Sequence, residues 1–118
     1  MCQKAYGNFF APLVSVREAT LIWTKAEPAR FQSSNLVQRG FCAKCGTPLT
    51  YEAPDGAAVS IAAFDEPATI VPEIQFGVEA KLAYVDDLPS LPTRTTIEDI
   101  DAAPFLNDLI SYQHPDHD

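Results

Sequence analysis

Gln38-Arg39-Gly40-Phe41-Cys42-Ala43-Lys44-Cys45-Gly46-Thr47-Pro48-Leu49 is the stretch that decides how this chain folds. Two thiols at positions i and i+3 face one ion when the backbone between them makes a tight turn. Gly46, directly after the second cysteine, permits the left-handed conformation that such a turn often needs. Backbone N–H groups of the turn and the Lys44 ammonium favour the thiolate form that zinc takes. Two readings compete with a metal. A thioredoxin-like redox pair opens a helix after a buried strand, whereas here Gly46-Thr47-Pro48 leads into a β-type run. A pair of buried free thiols sits poorly beside Lys44 and Gly46. The pair therefore reads as half of a tetrahedral zinc site, which needs two further ligands.

Outward from this segment the chain is a series of short apolar or alternating runs rich in Val, Ile, Thr and aromatics. Breakers punctuate them at intervals of about ten residues, the rhythm of an all-β domain. The runs predict strands over Leu13–Arg17, Thr20–Lys25, Arg30–Ser33, Val37–Phe41, Leu49–Glu52, Val59–Ala63 and Glu73–Val78. Ala53-Pro54-Asp55-Gly56 has proline and glycine where a reverse turn wants them, which makes Leu49–Ala63 a hairpin. Ten prolines among 118 residues exclude long helices almost everywhere. One short helix is expected over Ala103–Tyr112, capped by Asp101, with Phe105, Leu106, Leu109 and Ile110 on one stripe. Residues 86–98 read as an extended connection. A turn of helix at Cys2–Ala5 is expected to lack an anchor. The division that follows is a β domain over residues 1–98, then a helix and acidic tail over residues 99–118.

The length allows one domain with a modest core. Net charge is −8, and it is unevenly spread. Residues 1–81 carry 7 basic and 8 acidic side chains, whereas residues 82–118 carry 8 acidic ones and only Arg94. That surface repels a phosphate backbone, so nucleic acid is excluded as a partner. No apolar run approaches the ~20 residues that span a bilayer. The N-terminus lacks the pattern of a secretory signal, which makes the cytoplasm the expected location. Three cysteines, an odd number, argue against a disulfide framework.

Gln38–Leu49 resembles the second zinc knuckle of the glutathione-dependent formaldehyde-activating enzyme family, whose members share a domain with centromere protein V. Further pieces keep the family's order. Cys2-Gln3-Lys4-Ala5-Tyr6-Gly7-Asn8-Phe9 resembles the end of its C-x-C-x-x-C motif, and Phe31-Gln32-Ser33-Ser34 its aromatic-x-Ser-Ser strand. Ala63-Phe64-Asp65-Glu66-Pro67 and Asp87-Leu88-Pro89 resemble two of its turns. The resemblance covers about residues 2–92, and the knuckle is its specific part.

This resemblance implies a β-tent-like zinc fold of several small antiparallel sheets. It also implies two zinc sites. A structural zinc would take Cys42 and Cys45 with two cysteines of an earlier C-x-C, and a catalytic zinc would take Cys2 as the last of three. The implied substrate is S-hydroxymethylglutathione or a related thiol adduct, and the implied activity that of a carbon–sulfur lyase or synthase. The family's first strands and its other N-terminal cysteines have no counterpart here. The chain is therefore expected to be an N-terminally truncated member with a misplaced start, inactive on its own because one thiolate cannot hold a catalytic zinc. The alternative is a zinc-stabilised binding module without catalysis. A homodimer sharing one zinc between two knuckles, or His114 and His117 of the tail, would supply the missing ligands.

Remaining candidates have bland explanations. Trp23, Phe9 and Phe10 are expected in the core, and Asp65-Glu66-Pro67 as a turn. Arg39 has the chemistry to hold a substrate carboxylate or to form a structural ion pair.

Overall fold

The computed structural model describes residues 1–16 and 20–113. Its residues fall into two compact units, Met1–Lys81 and Leu82–Asp118. Among the described residues the first carries the α-helix and the strands: α1 (Cys2–Tyr6), β1 (Leu13–Val16), β2 (Ala29–Gln32), β3 (Gln38–Phe41), β4 (Pro48–Ala53) and β5 (Gly56–Ser60). The strands form one antiparallel sheet in the order β1-β5-β4-β3-β2. The class is all-β, as the punctuated runs imply. Among the described residues the strands gather into one sheet, where the resemblance implied several small ones.

From β2 to β5 the sheet is a meander in which each strand pairs with the next. The β4–β5 turn is the expected one, with Ala53 opposite Gly56 and only Pro54 and Asp55 between them. The β2–β3 turn is held by Ser34, whose Oγ accepts from the N–H groups of Leu36 and Val37 at 3.2 and 3.1 Å. β1 returns to pair with β5, Leu13 opposite Ser60. Pairing aligns Phe31, Arg39, Tyr51, Ala58 and Ser15 across the sheet. Residues directly opposite share a face. The adjacent row of Arg30, Gly40, Thr50, Val59 and Val14 lies on the other face.

Thr20–Lys25 and Glu73–Val78 are not strands. Leu21 and Trp23 instead lie against Arg30, Glu52 and Ala57, where they border a shallow cavity. An indole covers more apolar surface on a sheet face than on a sheet edge, and Trp23 is half-buried there. The second run has no neighbouring strand to pair with, and Phe76 is 96% exposed. Phe9 and Phe10 are exposed too, so the expectation that they lie in the core is not met. Val59–Ala63 is strand only to Ser60 and then turns as a 3-10 helix over Ile61–Ala63. Glu66 and Pro67 do open a turn: the Thr69 N–H and hydroxyl both donate to the Glu66 carbonyl.

α1 is anchored, contrary to expectation. Gln3 Nε2 donates to the Ala80 carbonyl at 3.0 Å. Tyr6 and Cys2 bond to the sheet as described below. A five-residue helix is unstable alone, so tertiary contacts of this kind must hold it.

In the second unit, Ala83–Ser90 is a 3-10 helix where an extended connection was expected. Pro89 is tolerated there, and Ser90 Oγ donates to the Asp87 carbonyl at 2.7 Å. The helix expected over Ala103–Tyr112 is only a 3-10 turn, Pro104–Asp108. Phe105, Leu109 and Ile110 are exposed, and an apolar stripe without a partner surface does not sustain an α-helix. No helix among the described residues is long and apolar enough to cross a membrane.

Candidate functional site

The loop from Cys42 to Thr47 joins β3 to β4. Its ends are closed by Cys42 N–H donating to the Thr47 carbonyl at 2.9 Å and Gly46 N–H donating to the Cys42 carbonyl at 2.8 Å. Gly46 has φ 79, the left-handed conformation expected of it. The register shifts between Gly40 and Phe41, an irregularity of the kind that re-aims side chains at a loop. Cys42 is half-buried and Cys45 exposed, and Cys45 Sγ lies 3.0 Å from Thr47 Oγ1.

Gly40 makes the close approach of β3 to β4 possible. A Cβ at this position would overlap Thr50 Oγ1 and meet the Pro28 ring at 3.1 Å. The same Oγ1 accepts from the Gly40 N–H at 3.1 Å and donates to Glu52 Oε1 at 2.9 Å. Thr50 is only 2% exposed. Glu52 in turn accepts from Arg30 Nε at 3.0 Å.

On the opposite face a second cluster forms around Arg39, which is 7% exposed. Its Nε donates to Ser33 Oγ at 3.2 Å and its Nη2 to Cys2 Sγ at 3.3 Å. The Tyr51 ring lies 5.1 Å from the guanidinium carbon, a cation–π distance. Nη1 is buried and has no acceptor among the described residues. An unmet buried donor costs about 1–3 kcal/mol, and more on a charged group. Beside this cluster Tyr6 and Ser60 share a 2.7 Å hydrogen bond, with Ser60 3% exposed. Burial is the main influence on the Tyr6 phenol and pushes it above its ordinary 10.0. The Ser60 bond and the Arg39 charge pull it down, and Cys2 pushes it up.

The structure thus places the three cysteines in two settings: Cys42 and Cys45 on the β3–β4 loop, and Cys2 against Arg39. Among the described residues no three His, Cys, Asp or Glu side chains come together as a metal site. His114 and His117 lie outside the described residues. Among the described residues the donor set offered to zinc is therefore incomplete. Sequence reasoning missed Ser60 altogether and quoted Tyr6 only within the Cys2–Phe9 pattern. It quoted Ser33 only as part of a pattern, and the one available signal was the Phe31–Ser34 motif, whose Ser33 holds Arg39.

The first unit is thus a single-sheet β domain with a C-x-x-C loop and, in a separate cluster, a buried cation beside a thiol. Comparison with protein families sharpens this: residues 1–80 match the glutathione-dependent formaldehyde-activating enzyme family, and the chain belongs to that family. No curated protein and no solved structure matches the chain.

Proposed function

We propose that this chain binds the adduct of glutathione and formaldehyde, S-hydroxymethylglutathione, with Cys2 and Arg39 at the binding site. The family's activity joins the two: the thiol sulfur adds to the formaldehyde carbon, and the thiol proton ends on the oxygen. The reverse is a carbon–sulfur lyase step. The observation that carries the reading is the family match over residues 1–80, which includes both Cys2 and Arg39. Three reduced cysteines, Cys2, Cys42 and Cys45, suit a reducing cytoplasm, where glutathione is abundant.

Zinc in this family would reach the chain through Cys42 and Cys45, and two thiols are half of what the ion requires. No reaction step is assigned to a metal here, and the isolated chain is expected to bind the adduct without turning it over. Exchange of 13C-formaldehyde with glutathione, followed by NMR, tests this. The exchange rate should stay at its uncatalysed value while glutathione resonances broaden. Acceleration that disappears in Cys2→Ser would refute inactivity.

A second reading, a non-catalytic module stabilised by shared zinc, is favoured by the exposure of Cys45 and the absence of a third ligand among the described residues. A two-fold axis brings the same loop of two copies together, giving four thiolates. It predicts about one zinc for every two chains and a dimer by light scattering, both lost in Cys42→Ser. Unchanged zinc content and mass in that variant would remove Cys42 from any metal role.

A further inference from the structure

We propose that Arg39 anchors a carboxylate of the thiol ligand in the cavity beside it, an assignment that rests on the family-level reading of a glutathione adduct as the ligand. The cavity has a volume of about 180 Å³, and its walls include Ala5, Phe31, Phe41, Pro48 and Thr50. Among the described residues Arg39 is the one charged side chain that lines it. Ligand pockets for whole drug-sized molecules run from about 300 Å³ upward. This cavity therefore suits a terminal group, an acid with its adjoining carbon against the rings of Phe31, Phe41 and Pro48.

The guanidinium is built for that acid and lacks it. Nε and Nη2 are taken by a hydroxyl and a thiol, and Nη1 by no group among the described residues. Among the described residues no carboxylate pairs with Arg39. The Tyr51 ring at 5.1 Å supports the face of the guanidinium, leaving recognition to its in-plane edges. A planar fork of this kind matches a carboxylate with two parallel hydrogen bonds. Because Cys2 Sγ shares Nη2, an acid held by Arg39 lies next to the thiol of α1. Thr50 Oγ1 lies on the other face of the sheet, where it serves Gly40 and Glu52, so Arg39 is the specificity-determining group of the cavity.

Isothermal titration with glutathione, glutathione diethyl ester and propionate, together with the 15N resonance of Arg39 Nε, tests the assignment. Glutathione should move the Arg39 signal and bind about ten-fold more tightly than the diester, the loss expected for one charge-assisted hydrogen bond. In Arg39→Met, with folding checked by circular dichroism, acid and ester should bind alike. Should that variant not fold, the acid-to-ester comparison on the unsubstituted chain decides. Equal binding of glutathione and its diester, or discrimination that survives in Arg39→Met, overturns the anchor and leaves the glutathione reading standing. Propionate moving the Arg39 signal while glutathione does not would keep the carboxylate site and remove glutathione as its ligand. If no acid moves the signal, the anchor is refuted.

Discussion

Replacing Gly40 with alanine is a perturbation whose cost can be worked out from the sheet. The added Cβ overlaps Thr50 Oγ1, an atom of the most buried polar side chain, and presses on Pro28 at 3.1 and 3.3 Å. Overpacking of this kind costs about 1–3 kcal/mol. If Thr50 turns away to make room, the Gly40 N–H loses its acceptor, and an unmet buried donor costs a further ~1–3 kcal/mol. Together the loss is about 2–6 kcal/mol, out of a total stability of about 5–15 kcal/mol for a domain of this kind. Urea unfolding followed by Trp23 fluorescence reads it, since a slope of about 1–3 kcal/mol per molar turns that loss into a midpoint shift of roughly 1 M or more. On a Thr50→Ala background the hydroxyl is gone, so the same Gly40→Ala change should cost at least ~1 kcal/mol less. A Gly40→Ala protein within ~0.5 kcal/mol of the parent, or an equal cost on both backgrounds, would refute the close-approach argument.

Three further outcomes are expected. The Tyr6 phenol, held above 10.0 chiefly by burial, should ionise later in the folded than in the unfolded chain. Its contribution to stability is then complete below pH 10.0 and lost as pH rises through the folded value; Tyr6→Phe should remove the latest-titrating component of the 295 nm absorbance. Gly46→Ala forces a side chain to φ 79 and should cost about 1–2 kcal/mol, with Gly46→Asn milder in a thermal melt. Ser60→Ala leaves the half-buried Tyr6 hydroxyl without its 2.7 Å partner and should cost about 1–3 kcal/mol in the same melt.

What could be read from sequence was the part that local rules control. β3, β4 and the turn at Pro54-Asp55 follow from alternation and turn chemistry, and Gly46 takes the backbone state that its position after Cys45 demands. Thr20–Lys25 carries the same β-type composition yet lies across a face of the sheet, because composition does not say whether a partner edge is free. Glu73–Val78 fails for the same reason. The cluster at Arg39 was illegible in a stronger sense. Cys2, Tyr6, Ser33 and Ser60 lie far apart in the sequence, and only cross-strand register decides that Arg39 faces them and not Thr50. The helix expected at Ala103–Tyr112 rested on periodicity alone, and only a 3-10 turn forms there, with Phe105, Leu109 and Ile110 exposed.

The strand order has a consequence for how the protein is made. β2 through β5 need only neighbours in the sequence, so they can assemble with short loop closures as they leave the ribosome. β1 must wait for β5, the last strand synthesised, before it finds a partner. The segment that waits also carries Cys2 and Tyr6. A nascent chain halted before Ser60 therefore lacks the hydroxyl that partners Tyr6.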